Sequence, residues 1–130
     1  MRFETPSPGV AFDIPDEWWS FADMAGFNPP PAGFYTPCAP TFDLAELADV
    51  EPPRRLRGEA LFKKYKLVPV LFAFRSPECA LPLVEVVEIA APGRYRFTVH
   101  NGFHRFYASA AAGFTRLPVL VFKATDVAVF

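Results

Sequence analysis

The chain has 130 residues, 52% of them hydrophobic, which is enough for one domain with a core and too few for two ordinary domains. Thirteen basic and 14 acidic residues give a formal net charge of -1, which excludes electrostatic binding of nucleic acid by an overall positive surface. With only two cysteines, Cys38 and Cys79, a disulfide framework is excluded, and both thiols are expected to be buried or half-buried and reduced.

The first ten residues, MRFETPSPGV, lack the basic start and apolar run of a signal peptide. No apolar run approaches the roughly 20 residues that span a bilayer. We therefore expect a cytoplasmic protein that does not enter a membrane. Fifteen prolines and 15 phenylalanines favour short elements, with an aromatic core or an aromatic subunit interface.

Residues 1–40 are predicted to form an N-terminal extension rich in proline and aromatic residues. Within it, 10–14 (VAFDI) favours a short strand, and 16–24 (DEWWSFADM) favours a strand or a helix of one to two turns. Residues 26–40 contain five prolines and are predicted to be a loop. The adjacent tryptophans at 18 and 19 allow two interpretations. Either one ring packs in the core and the other covers a boundary between packed elements, or the pair forms a surface for a partner or a homodimer.

Residues 41–130 are predicted to form the main domain. A strand is expected over 42–47. Residues 56–66 (LRGEALFKKYK) carry apolar residues at helical spacing and predict a helix. The apolar run 67–74 fits a strand or a helical turn, because Pro69 is unfavourable in a central strand.

The C-terminal part has the clearest pattern, with β-branched and alternating residues followed by an alanine-rich stretch. The predicted elements are, in order, a hairpin of strands 84–89 and 94–99, a helix 104–112 ending at Gly113, a strand 117–122 and an edge strand 127–130. Together these elements favour an α+β fold with a small mixed sheet flanked by helices.

A tight turn, NGFHR at 101–105, joins the last hairpin strand to the helix. Gly102 permits the turn, Asn101 tolerates left-handed geometry, and helix N-terminal amides attract anions. Arg105 can donate two hydrogen bonds to a phosphate, and His104 can donate another. Two cationic-capable residues where cations are normally disfavoured predict an anion, such as a nucleotide phosphate.

Structural roles remain as alternatives for the same residues. His104 can cap the helix, and Arg105 can pair with Glu85 or Glu88 to lock the hairpin. Those two carboxylates can instead pair with Arg94 or Arg96. His100, just before the turn, can contact a ligand or remain an exposed loop histidine.

Residues 84–122 resemble the signature region of the ParB/sulfiredoxin superfamily. That region has a strand, a Gly-x-His-Arg or Gly-x-Arg-Arg turn, an alanine-rich helix and a Pro-Val strand. The matching residues here are, in order, Gly102, His104, Arg105, Ala108, Gly113, Pro118 and Val119. A weaker match at 47–55 ends in a Pro-x-Arg pattern, so the resemblance covers about residues 41–122.

The resemblance implies a ParB/sulfiredoxin-like fold and a site for ATP or CTP with Mg²⁺. His104 and Arg105 would hold phosphates, and the backbone of Gly102 and Phe103 would complete the cradle beside Asn101. Arg54, Arg55 and Glu51 form a second tier of candidates.

Two known activities of the family do not fit this sequence. Phe103 occupies the position of the sulfiredoxin cysteine, so sulfinic-acid reduction is not expected. Partition CTPases carry Gly-x-Arg-Arg and a following helix-turn-helix domain, and a partition role is not expected either.

The sequence therefore predicts a nucleotide-binding protein, either an NTPase or a small-molecule phosphotransferase; the alternative is a non-catalytic module that binds protein or DNA. A basic run at 53–57 with Lys63, Lys64 and Lys66 suits a triphosphate, a nucleic-acid backbone or a solvated face. A kinase also needs carboxylates as base and Mg²⁺ ligands. The candidates are Glu46, Asp49, Glu51 and Glu59, and neither a catalytic residue nor a metal-ligand cluster is identified.

Overall fold

The computed structural model describes residues 1–55, 60–76, 78–91 and 93–123. Short strands and helices alternate along this part of the chain. They are β1 (Arg2–Glu4), β2 (Ala11–Asp13), α1 (Asp16–Phe21), β3 (Asp43–Glu46), a 3₁₀ turn (Leu47–Asp49), β4 (Val50–Glu51), α2 (Lys64–Phe74), β5 (Val84–Glu88), β6 (Phe97–Asn101), α3 (Phe103–Ala112) and β7 (Arg116–Phe122).

The main sheet has the strand order β3-β7-β5-β6-β4. β5 and β6 pair antiparallel as the predicted hairpin, and α3 then carries the chain to β7, which pairs parallel to the other side of β5. β3 pairs antiparallel with β7, and β4 pairs parallel with β6. This mixed sheet with its helices confirms the predicted α+β class.

α3 lies at the centre of the core. Its Phe106 is fully buried, and α2 packs beside it with Leu67 and Leu71 fully buried. Val84 and Val86 of β5 are fully buried as well. Burial of each such side chain stabilises the fold by about 1.5–3 kcal/mol relative to leaving it exposed. This burial explains why elements as short as these are stable.

The first 40 residues contribute to the same core. β1 and β2 form a separate two-stranded antiparallel sheet, and β1 packs against α3. Ile14 and Met24 are fully buried, and the Phe12 ring lies 5.0 Å from the ring of Tyr107 in α3. Trp18 and Trp19 are both half-buried against this core. No helix of the described residues is long and apolar enough to cross a membrane.

The structure decides two predictions that were left open and corrects a third. Residues 16–24 contain a helix, α1, and the apolar run at 67–74 belongs to a helix, α2, with Pro69 inside it. The helix predicted over 56–66 is wrong for residues 60–63, because Lys63 is extended and α2 begins after it. Residues 56–59 and the predicted edge strand 127–130 lie outside the described residues.

Further corrections concern the two cysteines and the start of β6. Both cysteines are exposed free thiols, because each lies in a surface segment outside the helices and strands. β6 begins three residues later than predicted, at Phe97, and the backbone N–H of Arg96 just before it donates to the Asp49 carbonyl at 2.8 Å. The Arg96 side chain also pairs with Asp49, at 3.9 Å, rather than with Glu85 or Glu88.

Glycines bound α3 at both ends, as the sequence predicts. Gly113 adopts the left-handed conformation with φ of 92°. The N–H groups of Gly113 and Phe114 donate to the carbonyls of Ala110 and Ser109 in the last turn of the helix. Gly102 has φ of 125°, and a Cβ there would lie 3.0 Å from Val84 Cγ1. The turn before α3 therefore depends on glycine for both its backbone conformation and its packing.

We predict that Gly102→Ala lowers the free energy of unfolding by roughly 2–4 kcal/mol, because backbone strain and overpacking add. Gly26→Ala is the matched control, since Gly26 has φ of 76° and nothing within 4 Å of its Cβ position. Gly26→Ala should lower the free energy of unfolding by only about 1–2 kcal/mol, because it adds backbone strain without overpacking. Urea unfolding measures both, and equal losses would contradict the role assigned to the Val84 contact.

Candidate functional site

The predicted turn and the basic run meet at a cleft of about 520 Å³. The turn supplies one wall, the basic run supplies another, and two valines lie between them. The lining residues are Pro53, Arg54, Arg55, Lys66, Val70, Val99, His100, Asn101, Gly102, Phe103, His104 and Arg105. All five predicted turn residues and both second-tier arginines are therefore brought together.

The turn presents the start of α3 to this cleft. Phe106 donates its N–H to the Gly102 carbonyl at 2.9 Å, which closes the first helical turn. The amides before Phe106 have no acceptor within the helix, and no side chain of the described residues caps them. Asn101 Nδ2 donates to Glu85 Oε2 at 3.2 Å, so Asn101 fastens the turn to β5.

An aromatic cluster supports the cleft from beneath. The Arg55 guanidinium lies over the Phe103 ring, 3.8 Å from its centroid. The same ring packs at 5.0 Å from Tyr107 and at 6.0 Å from Phe62, measured between centroids. Arg55 is thus held by a cation–π contact whose aromatic partner is itself fixed in the core.

Two hydrogen bonds tie α3 to the basic segment, by which we mean residues 53–55 and 60–66. The Tyr107 hydroxyl donates to the Pro53 carbonyl at 2.6 Å, and the Lys63 N–H donates to His104 Nε2 at 3.1 Å. Within the segment, Arg55 Nε donates to the Leu61 carbonyl at 3.3 Å. The first two turns of α3 therefore determine where the cations of the basic segment lie.

His104 is a neutral hydrogen-bond acceptor. Burial first, and then the charges of the nearby cations Arg55, Lys66, Lys63 and Arg105 in that order of effect, together lower its pKa from 6.5 to about 4. Because Nε2 accepts the Lys63 N–H, the proton of the neutral ring is on Nδ1. His104 therefore contributes no positive charge at pH 7, although the residue type allows one.

Arg105 extends behind the turn rather than across the hairpin to a carboxylate. Its Nη2 donates to the Leu83 carbonyl at 3.2 Å, and its Nε is buried without a hydrogen-bond partner among the described residues. Burial raises the pKa of Tyr35, and the charge of Arg105 partly offsets this. The guanidinium thus adds positive charge beneath the amides of the turn.

Of the other predicted residues, the described carboxylates lie outside the cleft lining and His100 lies within it. Glu51 is exposed in β4 and Glu46 is exposed in β3, while Asp49 pairs with Arg96. Glu59 and Arg57 lie outside the described residues. His100 is exposed at the rim, with its ring 6.0 Å from that of Phe122. In the described part of the chain, no group of three His, Cys, Asp or Glu residues is placed to hold a metal ion.

Sequence reasoning missed the roles of Tyr107 and Phe103. The signal was an aromatic pair at i and i+4, with its first member just before the helix predicted over 104–112, and in a helix this spacing places both rings on one face. Burial raises the pKa of the Tyr107 hydroxyl, with a smaller opposing effect of Arg54. The partner of that hydroxyl, the Pro53 carbonyl, is 54 residues away in the chain, and no local pattern indicates it.

Comparison with known proteins gives no match, whether to a family model, to a curated protein or to a solved structure.

We predict that acidification destabilises the protein partly through His104. Between pH 6.5 and about 4 this ring is protonated in the unfolded chain and stays mostly neutral in the folded protein. The free energy of unfolding therefore falls as pH falls through this window. Below about pH 4 both states are protonated and this contribution stops growing. Urea unfolding between pH 4 and 7 should show a smaller decline for His104→Gln, which retains an acceptor but does not titrate. Parallel declines in the two proteins would contradict the assignment.

Proposed function

We propose that the protein binds the phosphate groups of a nucleotide in the cleft. The observation that carries this proposal is the convergence of Arg54, Arg55 and Lys66 with the N-terminus of α3 on one cavity. Its volume of about 520 Å³ lies within the ordinary range of small-molecule sites, roughly 300–1,000 Å³. Helix N-terminal amides and arginine side chains are the groups that most often hold phosphates in proteins.

Electrostatics supports an anionic ligand. The protein as a whole has a formal net charge of -1, whereas the described residues that line the cleft include four cations and no carboxylate. Four cations contribute to the lowered pKa of His104. Their mutual repulsion, and their position near the positive end of a helix dipole, are both relieved when an anion binds.

The resemblance to the ParB/sulfiredoxin superfamily supports a nucleotide as the source of that anion, and we propose membership in it. The strand–turn–helix–strand order from β6 to β7 and the positive φ of Gly102 agree with the Gly-x-His-Arg pattern. ATP or CTP with Mg²⁺ is the ligand that this membership implies, and an NTPase or phosphotransferase the activity. The proposal itself is for binding, since no carboxylate is among the described residues that line the cleft.

Titration calorimetry with ATP, CTP and ADP, with and without Mg²⁺, tests the proposal. Arg54 and Lys66 are exposed, so the double variant Arg54→Ala/Lys66→Ala removes two charges from the cleft without opening the core. We expect affinity to fall by roughly 10–100-fold, because each charge-assisted contact is worth about 1.5–3 kcal/mol before solvent screening.

The matched control is Arg2→Ala/Arg94→Ala, which loses the same net charge from exposed residues outside both the cleft lining and the basic segment. Its affinity should stay within about threefold of the wild type, because charges that do not contact the ligand act on it only through screened interactions. The proposal is wrong if the wild type binds none of the three nucleotides, or if both double variants lose affinity equally.

An exposed apolar stripe on α2 favours a second candidate function, self-association. Tyr65, Pro69 and Phe72 follow the i, i+4, i+7 spacing, and Tyr65 and Phe72 are 70% and 54% exposed. Phe21 of α1, 65% exposed, extends the patch into the aromatic N-terminal segment. A helix face of this kind normally packs against another surface.

We assign a second copy of the chain as the occupant, because the rim of the patch carries both signs of charge. Lys64 Nζ lies 5.1 Å from the centre of the Phe21 ring, and Asp23 pairs with Arg75 at 3.3 Å. A mixed rim around an apolar stripe can be complementary to itself about a two-fold axis.

Sedimentation over a range of concentrations should show a mass that rises toward twice the chain mass of 14.5 kDa. Phe72→Glu should abolish the rise, because it places a charge in the stripe. Leu44→Glu, at an exposed position of β3, should leave it unchanged. A constant monomer mass in the wild type would exclude this candidate.

A further inference from the structure

The rings that line the cleft are already engaged with protein groups. One side of Phe103 is covered by the Arg55 guanidinium, and other parts of the ring pack on Phe62 and Tyr107. His104 is buried and bonded to the Lys63 N–H. Proteins that hold a base usually stack it on a free aromatic face. The described lining residues leave the outer face of Arg55 and the exposed ring of His100 at the rim for stacking, and such stacking does not discriminate between bases.

Groups that could read the edge of a base are scarce in the lining. Discrimination between bases requires side chains that donate or accept hydrogen bonds at fixed positions along the edge of the base. Arginine can do this as well, but Arg55 is held by the Phe103 ring and the Leu61 carbonyl, and Arg54 and Lys66 are solvent-exposed. Among the described lining residues, Asn101 is the one side-chain amide, and it is committed to Glu85 at 3.2 Å. The neighbouring Val70 and Val99 offer only apolar contact.

Positive groups, by contrast, are supplied by separate elements around the cleft. The amides at the start of α3 and the Arg105 charge behind them form one group. Arg54, Arg55 and Lys66 of the basic segment form another. A single phosphate seated at the α3 amides neutralises the first group and leaves much of the second unmatched. A chain of two or three phosphates can engage both groups.

From these contacts we infer that the cleft selects its ligand by the length of a linear phosphate chain and is indifferent to the base. The ligand class is therefore di- and triphosphates, including inorganic polyphosphate as well as nucleotides of any base. This inference rests on the proposed phosphate-binding function and specifies which part of the nucleotide is recognised.

Calorimetry in EDTA at constant ionic strength tests it with six probes: orthophosphate, pyrophosphate, tripolyphosphate, ATP, CTP and GTP. Each added phosphate should tighten binding by roughly fivefold or more, because it adds charge-assisted contacts. The three nucleotides should agree within about threefold, since stacking does not discriminate between bases. Tripolyphosphate should bind within about tenfold of them, because the phosphates make most of the contacts.

The outcomes separate the two proposals. A spread above about tenfold among ATP, CTP and GTP, or tripolyphosphate more than about tenfold weaker than all three, overturns base indifference and retains nucleotide binding; a difference of tenfold corresponds to about 1.4 kcal/mol. Equal affinities for orthophosphate and tripolyphosphate overturn selection by chain length. Binding of none of the six probes, with or without Mg²⁺, overturns the proposed function together with the inference.

A variant then locates the second group of positive charges. Arg54→Ala/Lys66→Ala should bring the affinity for tripolyphosphate close to that for orthophosphate, because the α3 amides remain. Arg2→Ala/Arg94→Ala should keep the wild-type preference for the longer chain, since both residues lie outside the lining and outside the basic segment. Circular dichroism confirms that each variant is folded. Loss of the preference in both variants, or in neither, contradicts the assignment.

Discussion

The contact between the first two turns of α3 and the basic segment is the constraint on which the cleft depends. Phe103 and Tyr107 have ring centroids 5.0 Å apart at i and i+4 and pack against Phe62, while Phe106, three residues after Phe103, is fully buried on the adjoining part of the helix surface. The three rings can be covered together in only one orientation of the helix about its axis. That orientation also directs its first amides into the cleft, so burial in the core sets the geometry of the site.

The same contact holds like charges together. Arg54, Arg55 and Lys66 line one small cavity, and a helix N-terminus is an unfavourable place for cations. The Arg55 contact with Phe103 offsets part of this cost, and neutral His104 avoids adding to it. What remains unbalanced in the free protein is positive potential. A bound anion would therefore stabilise the folded state by mass action as well as fill the cleft.

The sequence was most informative where structure depends on neighbouring residues. The strand, the turn at Gly102, the helix ending at Gly113 and the next strand follow from local backbone preferences, and the structure contains them in that order. α2 was left open because Pro69 disfavours both a strand and a helix interior. Burial of Leu67 and Leu71 against α3 decides for the helix, and Pro69 stays on its exposed face. β4 has only two residues, and its parallel pairing with β6 has no local signal.

A similar division applies to the candidate site. The residue types around Gly102 point to an anion, but their individual roles are set by tertiary contacts that spacing does not encode. His104 accepts a backbone N–H from the start of α2, and Arg105 extends behind the turn to the Leu83 carbonyl. In the proposed site both residues therefore act mainly by orienting other groups and by adding potential. Direct contact falls to the helix amides and to the basic segment, whose position depends on Tyr107 and Phe103. A search for the same site in other chains would gain specificity by requiring these two aromatic positions together with Gly-x-His-Arg, since the four-residue pattern alone does not place a cation over the amides.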